Sequence, residues 1–299
     1  MAAFVISNPW ITRRSPSQTP FPSISSSHKS ETEELALRRS TITFILELGD
    51  SLCLPRLTIS TSIVFFHRFF SRQSFEFHSR FDVATACIFL ASKVDETPRK
   101  VASVVLQSHM LSEKMKKSQT PPPDSDLSDP NFTTTSTTST VGSAAGVGGG
   151  KDFALDLKSA EFLELKDRIL ILERVVLQTL SFDLTVDHAY KPFVEIMQRL
   201  KAKYSSSGFI TKSGENIGQQ IIAQIGVGIL NDSYSGTVCL ELRCEEIAKC
   251  CVMGAVVLKE VEVKGGGSWL EVLDLEEGVW KVFLERFNEM AGGGESEGS

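Results

Sequence analysis

Apolar residues recur at helical spacing through most of this chain, and the densest stretch runs from Thr58 to Pro98. It holds two apolar helical patterns joined by a polar turn. In the first, Ile59, Ile63, Phe66 and Phe70 share a face; the many β-branched residues would also suit a strand, but about sixteen residues exceeds the usual length of a buried one. In the second, Phe81, Ala84, Ile88 and Ala91 recur at helical spacing, while Cys87, Leu90 and Val94 fill the opposite face. A helix apolar all round is buried all round. Lys93 lies near its end, so the carbon stem packs while the cation reaches the surface. Thr97 then reads as an N-cap with Pro98 at the first helical position, where the missing N–H costs nothing. That predicts a helix from Pro98 to about Lys117, with Val101, Val104, Val105 and Met110 apolar.

Flanking segments continue the pattern. From Glu33, Leu35, Leu37, Ile42, Ile45, Leu46 and Leu48 form an apolar stripe; Gly49 suits a helix stop and Pro55 the start of the next helix. Helical spacing resumes at Phe153, and Ile169, Leu170, Leu172, Val175, Val176, Leu177 and Leu180 make a densely apolar segment interrupted by Glu173 and Arg174. An acid amid so much apolar surface calls for a partner or a wet edge. Asp187 is placed to cap a helix carrying Phe193, Ile196, Met197 and Leu200, and further helices are predicted near 215–230, 243–259 and 279–291. The halves echo each other: Val83-Ala84, Cys87-Ile88 and Ala91 match Ile247-Ala248, Cys251-Val252 and Ala255 at one constant offset, which suggests duplication.

Three stretches lack periodicity. Residues 1–30 are rich in Ser and Pro with no acid, a composition shared by disordered tails and organelle transit peptides; lacking a long amphipathic Arg-rich stretch, they read as a disordered tail with Ser15-Pro16 and Thr19-Pro20 as candidate proline-directed phosphorylation sites. Between Ser118 and Lys151 the composition collapses to PPP, TTTSTTST and GSAAGVGGGK, as in a flexible insertion. Its GVGGGK end fails as a phosphate loop, because Ala145 stands where the first glycine is needed and Asp152 replaces the Ser or Thr. Residues 292–299 read as a second disordered tail.

A net charge of −6 and a pI near 5.5 over 299 residues argue against general nucleic-acid binding, which needs clustered Lys and Arg. The six cysteines fall mostly inside apolar patterns without a C-x-x-C pair, so zinc coordination is unsupported and buried free thiols in the cytosol or nucleus are expected. No run reaches the length of a membrane span and no secretory h-region appears. His67, His78 and His188 form no catalytic arrangement; neither a metal spacing nor a nucleophile motif survives inspection, and no cofactor is expected.

LASKVDETPRK, HRFFSRQSF, ILERVVLQTLSFDL and NDSYSGTVCLEL, in this order, resemble a cyclin, and within that family the transcriptional group that includes cyclin T of plants. The resemblance runs from about Glu34 to Lys117 and from about Lys166 to Met290. It implies an all-α fold of two tandem five-helix cyclin-box repeats, the first over 31–182 around the 118–151 insertion and the second over 183–291. It also implies a regulatory subunit that binds and activates a cyclin-dependent kinase in a heterodimer without catalysing anything. The resemblance further implies that the substrate of that kinase is the RNA polymerase II C-terminal domain, so that polymerase is engaged indirectly, in the nucleus, without specific DNA binding or a membrane. Matching motif to motif assigns kinase contacts to Lys93 in LASKVDE and Glu173 in ILERVV, with Phe89, Glu96 and Phe182 beside them. A cell-division cyclin, a general transcription factor of the same fold and a degenerate cyclin that no longer activates a kinase are the rivals. HRFFSRQSF and the missing Met-Arg-Ala-Ile-Leu patch weigh against the first, and the missing zinc ribbon and basic face against the second. IAKCCVMGAVVLKEV departs from the usual run ending Leu-Ala-Ala-Lys, which leaves the second repeat less secure.

Overall fold

The computed structural model describes residues 10–11, 21–27, 30–119, 156–204, 209–263 and 266–291. Helix α1 (Pro22–Ser27) leads into α2 (Glu31–Ser51), which starts where local chemistry dictates. Ser30 Oγ accepts from Glu33 N–H at 3.2 Å and Glu33 Oε2 accepts from Ser30 N–H at 2.9 Å, a reciprocal cap strengthened by three acids in the first turn. Helices α3 (Arg56–Phe70), α4 (Arg80–Val94), α5 (Val101–Gln119) and α6 (Ala160–Thr179) complete the first repeat. Ser159 caps α6 by accepting from Phe162 N–H at 3.1 Å.

The fold is all-α in two repeats, as expected. Helix α4 packs against α2, α3, α5 and α6, and every residue from Val83 to Ser92 is buried. Helix α3 is just as enclosed, with Thr58 to Phe70 buried without a break, because it faces α4 on one side and the second repeat on the other. Around its end Phe70 stacks on Phe75 at 3.9 Å and meets Phe66 edge-on at 4.9 Å.

Two predicted boundaries are corrected. Gly49 does not stop α2, which continues to Ser51; a Cβ at Gly49 would lie 2.6 Å from Ile59 Cγ1, so the glycine lets α2 and α3 approach. Gly228, inside the later helix α8 (Gln219–Ser233), has open space instead. Gly49→Ala is therefore expected to lower the urea midpoint by overpacking, a cost of about 1–3 kcal/mol that outweighs the gain in helix propensity. Gly228→Ala should raise stability by about 0.5–1 kcal/mol; changes of the same sign at both sites would contradict this packing. The second correction concerns α5, which begins at Val101 and not at Pro98. Thr97 lies four residues before that start and closes α4 instead: its N–H donates to Ser92 C=O at 2.8 Å, its Oγ1 lies 3.3 Å from Thr58 Oγ1, and Glu96 takes a left-handed φ of 56°.

The second repeat consists of α7 (Tyr190–Tyr204), a short antiparallel hairpin of β1 (Phe209–Ile210) and β2 (Asn216–Ile217), α8 (Gln219–Ser233), a one-turn α9 (Val238–Glu241), α10 (Cys244–Leu258), α11 (Trp269–Leu273) and α12 (Glu277–Ala291). The hairpin, α9 and α11 had no counterpart among the predicted elements, and Asp187 caps nothing, since Phe193 N–H bonds to Ala189 C=O. The internal echo corresponds to structure. Arg80 to Cys244 and Val94 to Leu258 are both 164 residues apart, so α4 and α10 coincide end to end at the centre of their repeats. Their exits match too: Glu260, like Glu96, is left-handed, and Val261 N–H bonds Val256 C=O as Thr97 bonds Ser92.

A polar seam joins the repeats. Tyr190 OH lies 3.1 Å from Ser60 Oγ and donates to Asn231 Oδ1 at 2.8 Å; His188 lies between Thr61 Oγ1 at 2.9 Å and Tyr234 OH at 3.1 Å. His67 Nε2 reaches Tyr234 C=O at 3.1 Å, and its Nδ1 faces Arg38 Nη1 at 3.2 Å. A guanidinium can only donate, so Nδ1 accepts and His67 is neutral. Burial, then the Arg38 charge, lower its pKa to about 3 against the opposing hydrogen bond to Tyr234. Between pH 6.5 and about 3 the unfolded chain binds the proton that the folded chain refuses, so stability falls as pH drops through that window. The expected loss is about 2 kcal/mol at pH 5, with His188, also lowered chiefly by burial, acting in the same direction. Urea titrations should show a shallower pH slope in His67→Gln than in the wild type; equal slopes would exclude this histidine as the source.

The N-terminal tail is also corrected where it is described. Trp10 and Phe21 are buried, Phe21 lies 4.2 Å beneath the Arg38 guanidinium, and Ser23 Oγ accepts from Phe75 N–H at 3.0 Å. Residues 120–155 and 292–299 lie outside the described residues, and Ser118 and Gln119 of the expected insertion belong to α5. Of the cysteines, Cys87, Cys250 and Cys251 are buried, Cys239 and Cys244 half-buried and Cys53 exposed; all six are free. None of the described helices is long and apolar enough to cross a membrane.

Candidate functional site

Helix α4 is apolar until its last turn, where Lys93 emerges at the negative end of the helix dipole. The chain leaves through the left-handed Glu96 and is fixed there by Arg99, whose Nε and Nη2 donate to Leu52 C=O at 2.8 Å and Cys53 C=O at 2.7 Å. The end of α4 is thereby tied to the α2–α3 corner. Helix α6 crosses α4 and turns Glu173 toward it.

Lys93 Nζ and Glu173 Oε1 meet at 2.6 Å, 80 residues apart in sequence, and the ammonium stands 3.9 Å above the Phe89 ring. Glu173 is nearly buried, with 11% of its side chain exposed, whereas Lys93 keeps 43%. A pair this open contributes no more than about 1 kcal/mol to folding. Its arrangement matters more: Phe89 and Glu173 hold the lysine in one orientation, and two of its three N–H groups remain for another acceptor.

Phe182 lies at the corner after α6, 68% exposed, with φ of 59° following 54° at Ser181. Glu96 is exposed three residues after Lys93 and makes no ion pair among the described residues. The structure thus joins Lys93, Phe89 and Glu173 in one cluster, and places Glu96 and Phe182 at the surface where the two helices end, with Glu96 N–H donating to Lys93 C=O at 3.3 Å. Sequence reasoning missed Leu163 and Ile171, apolar and about half exposed on α6, and Phe77, 70% exposed, which lines a shallow groove with Ile171 and Leu172. A signal existed: α6 carries apolar residues on more of its circumference than one core can cover.

The second repeat does not reproduce the feature. At the 164-residue offset, Val257 stands in place of Lys93 and Met253 in place of Phe89. Among the described residues no group of His, Cys, Asp and Glu is arranged to hold a metal. His67 and His188 serve the seam, and His78 packs edge-on against Phe69 at 5.2 Å.

Residues 10–121 match the family model for the cyclin N-terminal domain. The chain belongs to the cyclin family. It is 33% identical over 248 residues to rice cyclin-T1-3, covering 81% of this chain and 40% of that one, and 32% identical over 246 residues to Arabidopsis thaliana cyclin-T1-4, covering 81% and 36%. Within the family it is a cyclin of the transcriptional cyclin T group. It spans two fifths or less of the length of those two relatives. Among solved structures it resembles a chain of the yeast RNA polymerase II CTD kinase CTDK-1 complex (TM-score 0.56, 16% identity, covering 87% of this chain and 66% of that one) and one of the yeast TFIIK complex (0.53, 17%, 90% of each). At these identities the likeness establishes the fold.

Proposed function

We propose that this chain is the regulatory subunit of a cyclin-dependent kinase that phosphorylates the RNA polymerase II C-terminal domain, promoting elongation in the nucleus, and that it catalyses nothing itself. The observation that carries this reading is the Lys93–Glu173 pair, preorganised at 2.6 Å over Phe89 at the joint end of two core helices. A kinase is active only when its strand lysine and C-helix glutamate are paired and its activation segment is ordered. A partner that docks against the helix-in state alone shifts the population toward it. In this role Lys93 and Glu173 offer their spare donors and acceptor to kinase backbone, Glu96 extends the polar rim, Phe182 supplies apolar area, and Phe89, buried in the free chain, supports the lysine from beneath. A permanent interface of this kind buries more than about 2,000 Å². The substrate assignment is supported by the cyclin T relatives, not by the geometry.

Pull-down of the tagged chain from cell extract, with mass identification of the bound kinase, tests this reading. Recovery of a C-terminal-domain kinase is expected. Recovery of a cell-division kinase instead, or of promoter DNA in a salt-dependent complex, would replace it with one of the rivals.

A further inference from the structure

We propose that Trp10, with Arg68 and Arg72 beneath it, forms a latch that sets the position of the Phe182 corner, so that the N-terminal segment is a positioning element of the docking surface. The inference rests on the docking reading above. Local bonds hold only the backbone of the corner: Phe182 N–H donates to Leu177 C=O at 2.9 Å, while its ring is 68% exposed and both it and Ser181 take left-handed backbone angles that L-residues rarely adopt. A second restraint comes from the other side of the chain. Arg72 Nη1 donates to Thr179 C=O at 2.8 Å and Ser181 Oγ at 3.1 Å, and Arg68 Nη1 donates to Thr185 C=O at 2.8 Å. These bonds bracket Phe182 on both sides.

Trp10 closes over them. Its ring lies 4.0 Å from the Arg72 guanidinium carbon and 5.1 Å from that of Arg68, and its indole N–H donates to Asp183 Oδ2 at 2.7 Å, 173 residues away in sequence. The buried indole packs on both guanidinium groups and fixes the residue next to Phe182. Partial burial opposes ionisation of Asp183, but the indole, Thr185 and Arg68 outweigh it and hold the carboxyl below the usual range, so the acceptor stays charged. One residue of the N-terminal segment therefore reaches both arginines and the corner.

The test uses the full chain and its Trp10→Ala, Trp10→Phe and Phe182→Ala variants. Hydrogen exchange should accelerate across 179–185 in Trp10→Ala, leaving the α4 and α10 amides protected, with a partial effect in Trp10→Phe, which keeps the ring and loses the donor. Binding to a co-expressed C-terminal-domain kinase subunit should weaken about tenfold in Trp10→Ala. Because the latch acts through Phe182, the double variant Trp10→Ala/Phe182→Ala should bind no more weakly than Phe182→Ala alone. Unchanged exchange at 179–185, or fully additive losses in the double variant, would overturn the latch. A wild-type chain that binds no kinase would defeat the docking reading while leaving the exchange result to decide the latch.

Discussion

Lys93→Ala is expected to weaken binding of the kinase subunit by about 2–5 kcal/mol, from roughly thirtyfold to a few thousandfold, and Glu173→Ala by a similar amount. The size of the loss follows from burial on docking. In the free chain the pair is open to water on the lysine side and worth little, so neither substitution should move the unfolding midpoint by more than a degree or two. Once a partner covers the pair, removing one member strands the other as an uncompensated buried charge. The two losses should also be strongly non-additive, because each substitution breaks the same 2.6 Å contact. Isothermal titration of the single and double variants checks both statements. A binding loss matched by an equal loss of folding stability would mean that the pair is structural.

The largest expected effect on folding lies elsewhere. Arg38 is fully buried, pairs with Glu34 at 2.8 Å, donates to Phe70 C=O at 2.8 Å and faces His67. Glu34 is fully buried as well, and its second carboxylate oxygen has no hydrogen-bond partner among the described residues. Arg38→Ala therefore leaves a buried carboxylate and a buried carbonyl unserved, a loss of about 3–5 kcal/mol. Glu34→Leu combined with Arg38→Met should recover part of it, since apolar groups of similar volume often replace a buried pair at little cost. Because the Arg38 charge is one cause of the depressed His67 pKa, the double variant should also lose part of its stability dependence on pH below 6.5. A double variant as unstable as Arg38→Ala would mean that the bonds to Phe70 and His67, not the ion pair, dominate.

Much of the fold was legible in the sequence because periodicity is a local signal. Helices α2, α3, α4 and α10 follow from apolar spacing alone, and the echo between Val83–Ala91 and Ile247–Ala255 marks the two central helices. Lys93 could be seen at the lip of its helix, but its partner could not: Glu173 is 80 residues away, and only resemblance to a family joined them. Other features were invisible for the same reason. Trp10 and Phe21 are isolated aromatics in a Ser/Pro-rich segment, and their partners Asp183, Arg72 and Arg38 have no local relation to them. The seam of His67, His188, Tyr190 and Tyr234 spans more than a hundred residues of separation, so it left no pattern to read. Gly49 and Pro98 misled for a different reason: each is a punctuation residue whose usual meaning was displaced by a tertiary contact, the approach of Ile59 in one case and the closure of α4 by Thr97 in the other.

Reconstitution with a C-terminal-domain kinase subunit bears most directly on the central claim. The chain and the kinase are co-expressed, and phosphorylation of a C-terminal-domain repeat peptide is measured for wild type and for Lys93→Ala/Glu173→Ala. Wild type should co-purify with the kinase and activate it, while the double variant, folded and equally stable, should lose both properties. Equal co-purification and equal peptide phosphorylation by the two proteins would contradict a docking surface built on this pair.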